Sequence, residues 1–313
     1  MLLKPTGKMN KISKPDHIGI KLFKEFSLEE LVDYIDWTYF FHEWRLNGKF
    51  PAILYDEVKG KEASKLFDDA QEMLKQLIKE NWIIANGVAS IFPANAVGDD
   101  VEVYLDDERN KRLTTFHFLR NQRQLDNDPN YCLADFIAPK DSGIKDYLGC
   151  FIVTAGIGIE KKIEEFRKAN DDYNELMLKI LADRLAEAFA EVLHLKVRKE
   201  LWAYAKNEDL SLDELHLCNY CGIRPAPGYP ACPDHSEKAE LFRILNAEEN
   251  IGISLTESFM MIPAASVCGW YFANPDAKYF SVGKISKEQL SDYAQRKNIT
   301  IEEAMKWLAS VID

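Results

Sequence analysis

The sequence has no continuous apolar run of the roughly 20 residues that a membrane-spanning helix requires. Its first residues, MLLKPTGKMNK, are basic but lack the apolar core of a signal peptide. Six cysteines in 313 residues are too few for the disulfide framework of a small secreted protein. These absences predict a cytoplasmic protein with no membrane partner.

Positive charge is also scarce. The chain carries 39 lysine and arginine residues against 51 aspartate and glutamate residues, which gives a net charge of −12. Proteins that bind nucleic acid through many phosphate contacts need the opposite balance, because each contact neutralises a phosphate with a basic side chain. We therefore expect no nucleic-acid partner.

Several catalytic signatures are missing as well. The sequence contains no G-x-S-x-G motif, no phosphate-binding P-loop and no H-E-x-x-H pair. The G-I-G at residues 156–158 lacks the third glycine of a dinucleotide-binding loop. Hydrolase chemistry therefore has no visible set of residues, and a dinucleotide site is not supported.

The spacing of apolar residues alternates between helical and extended periods along the chain. In residues 61–80, apolar side chains recur every three or four positions, which predicts a helix. In residues 101–105, apolar and polar side chains alternate, which predicts a strand. Similar reasoning predicts strands at 82–92, 113–119, 147–155 and 279–285, helices over 160–205 and 236–250, and capping boxes that open helices at Ser27, Ser286 and Thr300. This irregular order predicts an α+β fold with a largely antiparallel sheet. Residues 1–20 are predicted to be a polar tail or linker.

Four candidate metal ligands lie in CNYCGIRPAPGYPACPDH, residues 218–235. Cys218 and Cys221 form a C-x2-C pair, and Cys232 and His235 form a C-x2-H pair. Thiolates and an imidazole at this spacing can hold zinc tetrahedrally. The connector is short and contains three prolines, and a chain of this length has little need of a metal to fold. A zinc-stapled interaction domain is one interpretation, and partly buried thiols in a tight loop are the other.

The residues between the cysteines are typical of a loop that holds a small molecule. Prolines fix the backbone, and Gly228 permits close approach of a ligand. Arg224 offers a fork of donors suited to a carboxylate. Tyr229 offers a ring that can stack on an aromatic base. A rigid surface turn would have a similar composition.

Three carboxylates follow at intervals of four on the long predicted helix: Asp183, Glu187 and Glu191. Side chains at this spacing share one helix face, where like charges are slightly destabilising. The row is either a solvated face or an electronegative wall that faces a cationic ligand.

Seven stretches carry a resemblance to a known family. They are YIDWTYFF (34–41), FPANAVGDD (92–100), NYCLADFIAPK (130–140), ADRLAEAFAE (182–191), RPAPGYPACPDH (224–235), LTESFMMIPAASVCGWYF (255–272) and DYAQRK (292–297). In this order, from about residue 20 to the C-terminus, they resemble the activation domain of cobalamin-dependent methionine synthase.

The resemblance implies a single C-shaped α+β domain over residues 21–313, with a twisted antiparallel sheet flanked by helices. Such a domain binds S-adenosylmethionine and presents it to cob(II)alamin for reductive methylation, which reactivates methionine synthase. The cobalamin is held by a partner domain or subunit, in cis or in trans. The electron comes from flavodoxin or an equivalent reductase.

The resemblance also implies ligand contacts for single residues. Asp36 is expected to hold the amino acid part or the ribose of S-adenosylmethionine, and Arg224 is expected to pair with its carboxylate. Ala226, Gly228 and Tyr229 are expected to contact the ligand through their backbone and ring.

Four further positions have counterparts in the family. Tyr279 and Phe280 correspond to an aromatic pair whose second member is also found as tyrosine. Asp183 and Glu187 are expected near the methyl donor and the corrin edge, where a carboxylate suits the positive charge of a sulfonium.

The same resemblance argues against zinc. Cys232 and His235 belong to the family motif, where they bind no metal, and the family requires no cysteine at positions 218 and 221. The D-x-H-x-x-G cobalamin motif is only echoed at residues 15–19, and the folate and homocysteine domains are absent. The chain is therefore expected to reactivate a partner and not to turn over homocysteine alone.

Overall fold

A computed structural model describes residues 12–123 and 129–312 of the chain. The strands are β1 (Gly19–Phe23), β2 (Ile84–Val97), β3 (Asp100–Tyr104), β4 (Arg112–His117), β5 (Asp146–Ile157), β6 (Ser254–Leu255), β7 (Met261–Ile262) and β8 (Ser266–Tyr271). The main sheet runs β4-β3-β2-β5-β8, and β1 also pairs with β2. All of its pairings are antiparallel, which confirms the predicted α+β class.

Strand β2 organises the sheet. Its residues 87–91 pair with β1 and its residues 94–97 pair with β3, while β5 lies along the opposite edge. In β5, Phe151 and Val153 pack into one apolar core, and Cys150 and Ile152 pack into the other. Because successive side chains in a strand point to opposite faces, both faces of the sheet are covered. The strand predicted at 147–155 is confirmed, and it is buried on both faces.

Helices cover the two faces of the sheet. They are α1 (Leu28–Val32), α2 (Trp37–Glu43), α3 (Gly60–Lys79), α4 (Ile159–Lys168), α5 (Asp172–Lys196), α6 (Leu212–His216), α7 (Glu237–Leu245), α8 (Ala247–Ile251), α9 (Lys287–Lys297) and α10 (Ile301–Trp307). The first core holds apolar residues of α1, α2, α3 and α5, and the second holds those of α7 and α8. A third, smaller core lies between α9, α10 and Leu119.

Three predicted elements differ from the structure. The helix predicted over 160–205 is interrupted at residues 169–171 and ends in a π turn, Val197–Leu201. The helix predicted over 236–250 breaks at Asn246, whose φ of 46° is left-handed. The strand predicted at 279–285 is wrong, since only Ile285 makes an isolated bridge there. Residues 279–285 cannot pair with the outer edge of β8, because the backbone of residues 223–225 already forms hydrogen bonds there.

The predicted caps form in part. Ser27, Ser286 and Thr300 each accept a hydrogen bond from the backbone N–H three residues later. The Gln289 side chain, however, bonds the backbone of Arg120 instead of reaching back to its own cap. A complete box that the sequence analysis missed opens α6, between Ser211 and Glu214.

The predicted tail lies partly outside the described residues, which begin at residue 12. The Trp202 indole donates to the Ser13 carbonyl at 2.9 Å, and the His17 amide donates to the Leu201 carbonyl at 2.8 Å. Since β1 begins at Gly19, the last part of the predicted tail belongs to the folded structure. Within the described ranges, every helix is too short or too polar to cross a membrane.

Candidate functional site

A cleft of about 550 Å³ collects most of the predicted site residues. Its lining includes Asp36, Glu187, Arg224, Tyr229 and Tyr279. A neighbouring compartment of about 270 Å³ shares the last four of these and adds Pro225, Ala226 and Phe280. The combined space is in the range of pockets that hold nucleoside-sized ligands. Residues that are more than 240 positions apart in the chain thus meet in one place.

One wall of the cleft is the proline loop, which we define as residues 223–232. Ile223 and Phe272 exchange two backbone hydrogen bonds of 3.0 Å, and the Trp270 amide donates to the Pro225 carbonyl at 3.0 Å. A Cβ at Gly269 would lie 2.4 Å from that carbonyl, so glycine is required for the loop to approach. The loop is therefore fastened along the outer edge of β8.

The tip of the proline loop is a closed turn. The Tyr229 amide donates to the Ala226 carbonyl at 3.3 Å, and the Gly228 amide donates to the Cys232 carbonyl at 2.7 Å. Gly228 has a φ of 92°, and a Cβ there would lie 2.2 Å from the His235 ring. The turn therefore needs glycine for its backbone conformation and for its contact with the imidazole. It leaves the Tyr229 ring 59% exposed at the mouth of the cleft.

The geometry does not support the zinc interpretation. Burial raises the pKa of the Cys232 thiol well above its ordinary value, which disfavours the thiolate that zinc requires. Burial and the neighbouring Lys238 ammonium, 3.0 Å from Nδ1, lower the pKa of His235. Among all residues that the structure describes, no group of three or more His, Cys, Asp or Glu side chains could hold a metal ion. Cys218 and Cys221 are free thiols, and only the first of them lines the cleft.

Arg224 stands at the base of the proline loop, with its guanidinium largely buried. Its Nη1 lies 2.7 Å from Glu191 Oε2 and 3.3 Å from the Tyr220 hydroxyl. Its backbone amide donates to the Tyr279 hydroxyl at 3.0 Å. Burial lowers the pKa of Arg224, but the Glu191 carboxylate outweighs this and raises it above the ordinary value. The cleft therefore contains a fixed positive charge.

The three carboxylates of α5 share one face, as their spacing predicts, but they differ in exposure. The Asp183 side chain is 47% exposed and bonds Arg184 at 2.6 Å, whereas the Glu191 side chain is only 5% exposed. Glu187 lies between them and lines both compartments. Burial raises the pKa of Glu187, although Arg224 and Arg184 oppose the shift. A solvated face therefore describes Asp183, which is outside the lining of both compartments, and not the two glutamates.

Asp36 and the aromatic pair occupy separate parts of the lining. Asp36 caps α2, where its Oδ1 accepts from the Thr38 amide at 2.9 Å. Within residues 12–123 and 129–312, its second oxygen has no hydrogen-bond partner and can accept one from a ligand. The Tyr279 hydroxyl lies at the polar end, 3.3 Å from the Tyr220 hydroxyl. The Phe280 ring packs 6.0 Å from that of Tyr131.

Several residues around Arg224 have no signal of their own in the sequence. Glu191 stands out only as part of the carboxylate row, and no sequence pattern assigns a role to Tyr220, His194 or Arg198. Tyr220 lies between two cysteines of the candidate zinc site, at a position that metal-ligand spacing leaves variable. Extending the carboxylate row by three positions would have found His194, whose Nδ1 lies 3.4 Å from Arg224 Nη1.

Comparison with known proteins agrees with the geometry. A family model described as the activation domain of vitamin B12-dependent methionine synthase matches residues 27–298, a range that contains every site residue named above. A crystal structure of the MetH reactivation domain bound to AdoHcy is 50% identical in sequence. The match covers 97% of this chain and 93% of that chain, with a TM-score of 0.94. The chain therefore belongs to the family of vitamin B12-dependent methionine synthase activation domains.

Proposed function

We propose that this chain binds S-adenosylmethionine in the cleft and presents it to cob(II)alamin held by a partner domain or subunit. The resulting reductive methylation reactivates methionine synthase. One observation carries the proposal: a single cleft joins a buried arginine, suited to a carboxylate, with glutamates suited to a cationic sulfonium. The relative bound to AdoHcy supports the ligand class.

The cleft offers partners for each part of the ligand. The contacts of the Arg224 guanidinium in the described part of the chain are made by Nη1, so Nε and Nη2 remain for the ligand carboxylate. The second oxygen of Asp36 suits the ammonium group or the ribose. Pro225, Ala226 and Tyr229 provide backbone and a ring for the adenine, and Phe280 closes the apolar compartment.

Glu187 is the carboxylate best placed to act on the sulfonium. It borders both compartments, whereas Asp183 lies one helical turn away, outside the lining of both. A negative charge in this largely buried position favours the sulfonium over the neutral thioether that remains after methyl transfer. The same preference helps S-adenosylhomocysteine to leave.

The partner molecules complete the reaction. The cobalamin on the partner supplies the reduced cobalt that accepts the methyl group, and flavodoxin or an equivalent reductase supplies the electron. This chain contributes the methyl donor and its orientation, so we propose that residues 21–313 act as one module without turnover of their own. A C-shaped outline and a cytoplasmic location stay predictions.

Calorimetry tests the ligand assignment directly. We expect the wild-type chain to bind S-adenosylmethionine and S-adenosylhomocysteine at one site each, in competition with each other. A chain that gives no heat with either compound, and no competition between them, would overturn the proposed function.

Glu187→Gln is expected to remove the preference for the sulfonium. The affinity for S-adenosylhomocysteine should stay within about twofold, while the affinity for S-adenosylmethionine falls roughly tenfold, which corresponds to about 1.4 kcal/mol. Reductive methylation in a reconstituted system should slow as well. An unchanged ratio of the two dissociation constants would contradict the role given to Glu187.

The pH dependence of the same ratio supplies a control. Because the pKa of Glu187 is raised above its ordinary value of 4.5, its charge is lost at a higher pH than that of an exposed glutamate. The preference of the wild-type chain for S-adenosylmethionine over S-adenosylhomocysteine should therefore fall as the pH drops towards the raised pKa of Glu187. Glu187→Gln should show no such fall. Asp183→Asn, at a half-exposed position outside the lining, should keep most of the preference and its pH dependence.

A further inference from the structure

We infer that Arg198, which does not line the cleft, is a positioning residue that holds Glu191 and, through it, Arg224 in the arrangement that accepts the ligand carboxylate. The inference deepens the proposed function and rests on it. It starts from a chain of four alternating charges behind the cleft, formed by Glu208, Arg198, Glu191 and Arg224.

Arg198 is held in a fully buried position. Its side chain is 0% exposed, its Nε lies 2.8 Å from Glu208 Oε2, and its Nη1 lies 4.0 Å from Glu191 Oε1. It belongs to the π turn at the end of α5, and turns of this kind occur frequently at functional sites. The guanidinium therefore lies where it can attract Oε1 of Glu191, while Arg224 pairs with Oε2 of the same carboxylate.

The contacts of Arg198 are incomplete in an unusual way. Its Nη1 and Nη2, together with Glu191 Oε1, are sealed from solvent and have no hydrogen-bond partner among the described residues. Full burial of charged donors without hydrogen-bond partners is costly. The attraction between Arg198 Nη1 and Glu191 Oε1 across 4.0 Å, where both atoms are sealed from solvent, offsets part of this cost and holds the Glu191 carboxylate in place.

The Tyr220 ring lies close to both guanidinium groups. The Cζ of Arg198 lies 4.4 Å from the centre of the ring, and the Cζ of Arg224 lies 5.7 Å from it. The Tyr220 hydroxyl accepts from Arg224 Nη1 at 3.3 Å. An aromatic face stabilises a nearby cation, so one ring can reduce the repulsion between two guanidinium groups.

Charge balance explains how Arg198 affects the ligand. The chain of four is neutral, with two guanidinium groups and two carboxylates. Without Arg198, the ion pair of Glu191 that remains among the described residues is the one with Arg224. The three charges that are left have a net negative charge, which repels the ligand carboxylate. The effect should be confined to ligands that carry this carboxylate.

Arg198→Met is therefore tested with two probes, S-adenosylhomocysteine and 5′-methylthioadenosine, which lacks the amino acid part. We expect the dissociation constant of the first to rise at least tenfold and that of the second to stay within twofold, as followed by calorimetry and ligand-observed NMR. The control variant is Arg243→Met, which removes an exposed ion pair with Glu240. It should change neither of the two dissociation constants.

Arg198→Lys keeps the positive charge and serves as the conservative variant. Its dissociation constant for S-adenosylhomocysteine should lie between those of the wild type and Arg198→Met. If Arg198→Met does not fold, the two probes are compared on Arg198→Lys instead. Equal weakening of both probes would mean general structural damage and would overturn the inference, as would unchanged binding of S-adenosylhomocysteine. A wild-type chain that binds neither probe would instead overturn the proposed function, and the inference with it.

Discussion

Arg224→Ala is expected to weaken the binding of S-adenosylhomocysteine by about a hundredfold or more. Arg224 supplies a fixed positive charge to the cleft, and its Nη1 already pairs with Glu191 at 2.7 Å. Removing one partner of a buried, hydrogen-bonded charge pair costs about 2–5 kcal/mol, and about 1.4 kcal/mol corresponds to a tenfold change in affinity. Calorimetry at constant pH and salt measures the change.

Two variants separate the loss of the ligand contact from damage to the fold. Arg224→Lys keeps a charge for Glu191 but offers no planar fork, so binding should be intermediate. Arg224→Ala combined with Glu191→Gln removes the unpaired carboxylate, so thermal stability should recover while binding does not. If Arg224→Ala alone binds S-adenosylhomocysteine within threefold of the wild type, the assignment of the carboxylate partner is wrong.

Lys297→Met is expected to lower the free energy of unfolding by about 3–5 kcal/mol, the usual result of breaking a buried ion pair. The Lys297 ammonium bonds Asp234 Oδ2 at 2.8 Å, Ser236 Oγ at 2.8 Å and Glu237 Oε1 at 2.5 Å. Both carboxylates are about 1% exposed. Burial lowers the pKa of Lys297, but Glu237 and Asp234 together raise it to about 12. Without the ammonium, two buried carboxylates are left without their cation.

Urea unfolding with one matched control measures this effect. Lys287→Met replaces an exposed lysine on the same helix, α9, and should change stability by less than about 0.5 kcal/mol. Adding Glu237→Gln to Lys297→Met should recover part of the loss. A deficit below about 1 kcal/mol for Lys297→Met would show that the network contributes little.

The loss of stability in Lys297→Met should also depend on pH. Burial raises the pKa of Glu237 even with Lys297 present, and removal of the ammonium raises it further. A folded state in which a carboxyl has a raised pKa binds more protons than the unfolded state, so its stability falls as the pH rises through that pKa. The free energy of unfolding of Lys297→Met should therefore be closest to that of the wild type in mildly acidic buffer. The difference should be largest at neutral pH.

The network around Lys297 is connected to the candidate site through the chain itself. Asp234 and Glu237 flank His235, whose ring supports Gly228 at the tip of the proline loop. Tyr293 adds a 2.6 Å hydrogen bond to Asp234 from α9. Helix α9 therefore fixes the segment that sets the position of the turn.

Local sequence patterns could predict elements whose stability depends on local spacing. The apolar period of residues 61–80 gives α3, and the composition of residues 147–155 gives a strand buried on both faces. Long-range pairing is different. Two strands share one edge of β2, and Gln289 bonds the backbone of Arg120 across 169 positions of sequence. No local pattern specifies such partners.

The candidate site was predictable to a similar extent. The family resemblance implied ligand contacts for Arg224, Glu187 and Asp36, and the structure brings these residues into one cleft. The pairing of Arg224 with Glu191 and the approach of Arg198 depend on how α5 packs beside the proline loop, so spacing alone could not show them. The ligand roles of these residues stay predictions until binding is measured.

The attachment of the proline loop to β8 has a consequence for solubility. An uncovered outer strand presents unpaired amides and carbonyls, which invite strands of other molecules to add to the sheet. Here residues 223–225 occupy that edge with their own backbone. A substitution that detaches the loop, such as a larger residue at Gly269, would expose the strand as well as the cleft. Such a variant should self-associate, so aggregation would accompany the loss of ligand.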